Sequence, residues 1–237
     1  MKLLVSVADA EDARAAVAGG ADVIDAKDPT RGALAPVRPE TLQAIVAAVA
    51  GHRPVTAALG DMVADHALAR QVAGFGLAFV KVGFPTSATA AAAESLAGAV
   101  VRDAAGCRVV LAAYADQGLD PWVVIEVATR VGATGVLLDT ADKARPGLLD
   151  ALDRRALGHW IASAREAGLT AAVAGRLSAD DLPVVAELGA DVAGVRGAAC
   201  VGARAGRVSA DRVRALVAAA QRPDTSASNA GESRTKV

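Results

Sequence analysis

The sequence predicts a (β/α)8 TIM barrel, an α/β fold in which eight parallel strands are each followed by a helix. Three observations predict it. Eight short β-like runs recur between residues 3 and 197, and each leads into an Ala-rich stretch of helical period. The runs are nearly continuous in apolar residues, as parallel strands covered on both faces require. No G-x-G-x-x-G follows the first run, which weighs against the alternative, a doubly wound dinucleotide-binding sheet.

The strands read, in order, "LLVSV" (3–7), "DVIDAK" (22–27), "VTAALG" (55–60), "FVKVG" (79–83), "RVVLAAYA" (108–115), "GVLLDT" (135–140), "TAAVAG" (170–175) and "DVAGVRG" (191–197). Segments such as "DAEDARAAVAGG" and "PETLQAIVAAVAG" supply the helices between them. Asp9, Ser178 and Ser209 stand where helix caps belong, and Gly19, Gly132 and Gly168 where helices close. Residues 1–221 read as a single barrel domain. Residues 222–237 lose the apolar pattern, fill with Ser, Asn, Gly and charge, and are expected to form a disordered C-terminal tail.

Composition excludes several classes of function. Of the 237 residues, 53% are hydrophobic but only 3% aromatic, so the core is built of small side chains. The formal net charge is -1, with no basic domain or acidic tail, so there is no electrostatic argument for nucleic acid or an anionic membrane. No stretch reaches the ~20 apolar residues of a membrane span. The apolar run at the N-terminus is short and meets Asp9, Glu11 and Asp12 at once, unlike a signal peptide, and a cytoplasmic protein is expected. Cys107 and Cys200 lie far apart in no metal-type spacing and read as reduced thiols. His52, His66 and His159 are scattered, so no metal site is expected. Trp122 and Trp160 read as helix-to-barrel packing. The oligomeric state stays open, a homo-oligomer included.

The lysines carry the chemical signal. Of 25 basic residues only Lys2, Lys27, Lys81, Lys143 and Lys236 are lysine. Arginine serves wherever a plain positive charge is wanted, whereas a desolvated lysine can become a neutral amine nucleophile. In this fold the active site lies at the C-terminal ends of the strands. Those ends hold Asp25 and Lys27 on the second strand, Lys81 on the fourth, Tyr114 and Asp116 on the fifth and Asp139 on the sixth, with Lys143 just beyond. Asp25 and Lys27 are two apart, so both point into the barrel. Asp61, after the third strand, reads equally as a mouth residue or an exposed loop acid.

Each of these side chains alone also reads as a rim charge or a structural ion pair. Together they suit imine chemistry: a lysine near other cations in a low-dielectric pocket attacks a carbonyl, and a carboxylate such as Asp25 or Asp139 moves the proton that the imine loosens. Lys27 is the expected Schiff-base lysine and Asp25 its electrostatic and proton-transfer partner. The seventh strand ends at Ala174 and Gly175, the eighth at Arg196, Gly197 and Ala198. Loops at these places often bind phosphate through backbone N–H groups, and Arg196 reads either as a charged donor there or as an ion-pair residue.

The ordered motifs "GGADVIDAKDPTRGALA", "FVKVG", "AAYAD", "LLDTADK", "AGRL" and "GVRGAAC", across roughly residues 1–220, make the chain resemble (5-formylfuran-3-yl)methyl phosphate synthase, also called 4-(hydroxymethyl)-2-furancarboxaldehyde phosphate synthase, of methanofuran biosynthesis. "IDAKDP" and "GVRGAAC" are the most specific. The resemblance implies a carbon–oxygen lyase acting on phosphates. It would condense two molecules of glyceraldehyde 3-phosphate into the furan, with loss of phosphate and water and without metal or organic cofactor. It implies a Schiff base at Lys27 and further catalytic roles at Asp25, Lys81, Asp139 and Lys143. Whether the furan serves a methanofuran-like carrier or a natural product is left open. Three alternatives remain. Barrels with a D-x-K-x-x-D motif are disfavoured by Thr30 at the third position after Lys27. A class I Schiff-base aldolase acting on triose phosphates is the second. A non-catalytic barrel scaffold is the third, and the mouth lysines in a Lys-poor chain count against it.

Overall fold

A computed structural model describes residues 1–61, 67–84, 86–104 and 106–222. The expected tail, apart from Arg222, and His66 lie outside the described residues. All eight expected strands form one closed parallel barrel in chain order. They are β1 (Lys2–Val7), β2 (Val23–Ala26), β3 (Val55–Asp61), β4 (Phe79–Gly83), β5 (Arg108–Tyr114), β6 (Gly135–Asp139), β7 (Thr170–Val173) and β8 (Val192–Val195). Closure joins Lys2–Val5 of β1 to Val192–Val195 of β8 in parallel register. A small antiparallel hairpin, β9 (Cys200–Val201) and β10 (Arg207–Val208), follows β8.

The helices are α1 (Ala10–Ala18), α2 (Pro39–Val49), α3 (Ala67–Ala73), α4 (Ala90–Asp103), α5 (Pro121–Val131), α6 (Leu148–Ala151), α7 (Arg154–Glu166), α8 (Asp181–Glu187) and α9 (Ala210–Ala220). Local chemistry sets their ends. Asp9 caps α1 by accepting from the amides of Glu11 and Asp12, and Ser209 caps α9. Asp120 and Pro121 open α5, and Gly132 closes it at φ +73°. Ser178 does not cap a helix: its amide and hydroxyl both donate to Asp181, and α8 starts after Asp180. Gly168 follows the cap of α7, which is Ala167. No described helix is long and apolar enough to cross a membrane.

The main core lies between the outer barrel faces and the helices, where Leu3, Ile24, Leu111, Leu138 and Trp160 are fully buried. Small residues bring the helices close. A Cβ at Gly19, at the end of α1, would lie 2.5 Å from Val213 Cβ of α9, so only glycine fits that crossing. Cys107 is half-buried and Cys200 buried, and both are free thiols.

The barrel interior is less filled than its exterior. Alternate residues of each strand point inward, and on β7 and β8 these include Ala172 and Gly194, with Ala174 just beyond β7. A Cβ at Gly194 would lie 3.2 Å from that of Ala174. Such small side chains leave a cavity of about 580 Å³ along the inside of the barrel, open towards Lys27, Asp139 and Lys143.

Candidate active site

Asp25 is the fully buried centre of a polar row that crosses four strands. Register places Ser6, Asp25 and Thr56 side by side on β1, β2 and β3. The Asp25 carboxylate accepts from Ser6 Oγ at 3.0 Å and Thr56 Oγ1 at 2.8 Å. Lys81 Nζ, from β4, pairs with it at 2.7 Å. A buried carboxylate needs this much compensation. Burial pushes the Asp25 carboxyl up, but the charges of Lys81 and Lys27 and the hydrogen bonds of Lys81 and Thr56 outweigh it and hold the group below the ordinary carboxylate range.

Lys27 stands one residue beyond β2, its amide donating to Val7 O at 3.1 Å. It is 6% exposed and lines the cavity. Among the described residues no ion pair or side-chain hydrogen bond holds its amine. Burial brings the amine down to about 7, aided by the charges of Lys81 and Arg204 and opposed by those of Asp139 and Asp25. Sequence spacing made Asp25 the partner of Lys27. The structure gives the direct contact of Asp25 to Lys81, and Asp25 acts on Lys27 through space.

The third element is at the end of β6. Asp139 Oδ1 accepts from Thr140 N at 2.7 Å and from Lys143 Nζ at 2.6 Å. Lys143 also donates to the carbonyl and hydroxyl of Thr140. Burial raises the Asp139 carboxyl, and the charges of Lys143 and Lys27 more than reverse this, so it is held low. Asp116 steadies the same loop by accepting from the amides of Ala141 and Asp142 at 2.7 and 2.9 Å. Tyr114 and Asp61 face each other instead, with a 2.5 Å hydrogen bond, and neither lines the cavity.

The expected phosphate residues Gly175, Arg196, Gly197 and Ala198 all line the cavity. Gly175 has φ +114°, and a Cβ there would lie 3.1 Å from Leu148 Cβ and from Thr140 Cγ2. That conformation also ends the strand at Val173, short of the expected residue 175. Of the two roles open for Arg196, the structure shows the ion pair, made by a side chain that also lines the cavity. Its Nη1 donates to Asp12 Oδ2 and Ser6 O, its Nε to Arg204 O and its Nη2 to Gly206 O, all at 2.9–3.0 Å. Four of the five N–H bonds of a guanidinium are thereby engaged within the fold.

Sequence reasoning missed Ser6, Thr56, Arg176 and Arg204. The first two carried a signal: each is a lone hydroxyl inside an apolar strand, "LLVSV" and "VTAALG". The two arginines sit in Gly-flanked loops with no periodicity to mark them.

The 4-HFC-P synthase family matches residues 3–217 of the chain. A (5-formylfuran-3-yl)methyl phosphate synthase of Methanopyrus kandleri is 38% identical over 203 residues, covering 81% of this chain and 86% of that relative. A putative enzyme of the same description from Methylorubrum extorquens is 36% identical over 192 residues, covering 80% of this chain and 78% of the relative. Among solved structures, a 3-hexulose-6-phosphate synthase is similar with a TM-score of 0.63 at 25% identity, covering 91% of this chain and 99% of that one. The barrel, the cavity with its lysine and aspartate pairs, and these matches along nearly the whole described chain agree, and the protein belongs to the 4-HFC-P synthase family.

Proposed function

We propose that the chain condenses two molecules of glyceraldehyde 3-phosphate into (5-formylfuran-3-yl)methyl phosphate, through a Schiff base on Lys27, with loss of phosphate and water. The observation that carries this reading is the Lys27 amine, buried on the cavity wall without an ion-pair partner among the described residues and brought to about 7 by that burial. A neutral amine can attack an aldehyde carbon: the C–N bond forms, the carbonyl oxygen leaves as water, and the imine draws electrons from the neighbouring carbon.

The two ionised pairs suit the remaining steps. Lys81, which lines the cavity, and Asp25, buried behind it, supply a fixed dipole on the Lys27 side, and Lys81 suits proton transfer at the carbon next to the imine. Asp139 with Lys143 lies across the cavity and suits an isomerase-like proton shuttle on the second triose, which then joins the first by aldol addition. Gly175, Gly197 and Ala198 line the same cavity, and such small residues suit a phosphate held by backbone N–H groups. Use of the furan in a methanofuran-type cofactor belongs to the same proposal.

The test is incubation with glyceraldehyde 3-phosphate, followed by mass spectrometry for a furan aldehyde phosphate and, after borohydride, for a triose adduct on Lys27. Lys27→Arg should lose both products, because guanidinium is too weak a nucleophile at neutral pH. An adduct mapped to Lys81 or Lys143 overturns the assignment, and a carbon–carbon condensation product without furan points to a simple aldolase.

A further inference from the structure

Three cations at the cavity are each matched by a carboxylate. Lys81 has Asp25, Lys143 has Asp139 and Arg196 has Asp12. Arg204 is different. It lines the cavity half-buried, and among the described residues it has no carboxylate within ion-pair distance. Its Nε donates to Pro29 O at 3.2 Å and its Nη2 to Gly32 O at 2.8 Å. The other three N–H bonds of its guanidinium have no acceptor among the described residues. Arg176, at the rim, also lacks a carboxylate, but it is exposed and gives Nη1 to the carbonyls of Lys143 and Arg145.

Arg204 is close to the reacting groups. Its charge acts on both Lys27 and Asp139. A permanent cation beside a buried amine, with Asp139 acting on it only through space and no carboxylate in direct contact among the described residues, gains when an anion arrives. Its place is fixed by the fold. The hairpin of β9 and β10 carries it, and the Arg196 side chain grips that hairpin from below through Arg204 O and Gly206 O. Arg196 is itself anchored to the start of the chain through Ser6 O and Asp12.

We propose that Arg204 is the cation that seats the phosphate of the triose held at Lys27, and that Arg196 is the positioning residue that holds it there. The inference rests on the triose phosphate reading and adds a binding residue, Arg204, that the sequence analysis did not single out. Through Pro29 and Gly32, the same guanidinium joins the phosphate seat to the loop that leaves Lys27.

Two measurements on the intact protein test this. Calorimetry with inorganic phosphate should show binding to the wild type and about ten- to hundredfold weaker binding to Arg204→Gln, the effect of losing charge-assisted hydrogen bonds. Borohydride trapping on Lys27 should need at least about tenfold more glyceraldehyde 3-phosphate in Arg204→Gln, a larger loss than is seen with unphosphorylated glyceraldehyde. Arg204→Lys should recover part of both effects. Equal loss with the two aldehydes, in a variant whose circular dichroism is unchanged, makes Arg204 a loop anchor only and overturns the proposal. Phosphate affinity that Arg204→Gln and Arg204→Lys both leave unchanged overturns it as well. If the wild type traps neither aldehyde, the Schiff-base reading fails, and the phosphate titration still decides the role of Arg204.

Discussion

Lys81 Nζ lies 2.7 Å from Asp25 Oδ2, so the carboxylate two residues before Lys27 is already matched by a cation from another strand. Asp25 thus acts on Lys27 through space, as Asp139 does. Lys81→Ala should therefore do two things. It leaves the Asp25 charge buried and unpaired, which destabilises by about 3–5 kcal/mol. It also removes a cation that lowers the Lys27 amine, so imine formation near neutral pH should slow. Lys81→Arg should retain more of both. Chemical denaturation together with trapping rates checks this, and equal behaviour of the two variants contradicts it.

Because burial brings Lys27 to about 7, adduct formation should fall as the pH drops through that value, about tenfold per unit in the acid limit. The same shift has a stability counterpart of definite sign. The folded state binds the proton less tightly than the unfolded chain, so the penalty of the buried ammonium is fully present below about 7 and fades as the pH rises towards the ordinary lysine range. Lys27→Met should be inactive yet more stable than the wild type at neutral pH, with the difference shrinking in alkali. Denaturation midpoints of both proteins across that pH range check it.

Lys143→Ala separates joining from trapping. Lys143 pairs with Asp139 at 2.6 Å and makes no contact with Lys27 among the described residues. The variant should still form the borohydride adduct while making little furan. Intact-mass spectrometry after borohydride decides: a block as complete as in Lys27→Ala means the imine lysine lies elsewhere.

Asp12→Asn tests the structural half of the site. Asp12 is buried, pairs with Arg196 Nη1 at 3.0 Å and accepts from the amide of Val208 at 3.0 Å. Neutralising it strands a buried guanidinium, and a loss of about 3–5 kcal/mol is expected in equilibrium unfolding. The apparent affinity for glyceraldehyde 3-phosphate should weaken too, because the hairpin bearing Arg204 loses its support.

What could be read along a single strand was legible. Period two put Asp25 and Lys27 on the inner face, and strand order put Lys81, Asp139 and Lys143 at the same mouth. The pairing of Asp25 with Lys81 was not legible, because it depends on register carried across β3, and nothing in residues 22–27 encodes a neighbour two strands away. Arg196 was ambiguous for a different reason. Three of its four acceptors are backbone carbonyls, which every residue possesses and no sequence pattern announces. The strand ends at β7 and β8 were overrun by two residues each, since Gly175 at φ +114° and the turn at Arg196 interrupt runs whose composition alone would continue them.

The Arg196 contacts join residues 6 and 12 to residues 196, 204 and 206, close to the two ends of the barrel. Lys27 leaves the ribosome early, but the burial that makes its amine neutral near pH 7 depends on a barrel whose closing strand is synthesised almost last. Until β8 docks, the burial that lowers the Lys27 amine is incomplete, so the neutral amine is a property of the closed barrel and not of the strand that carries it.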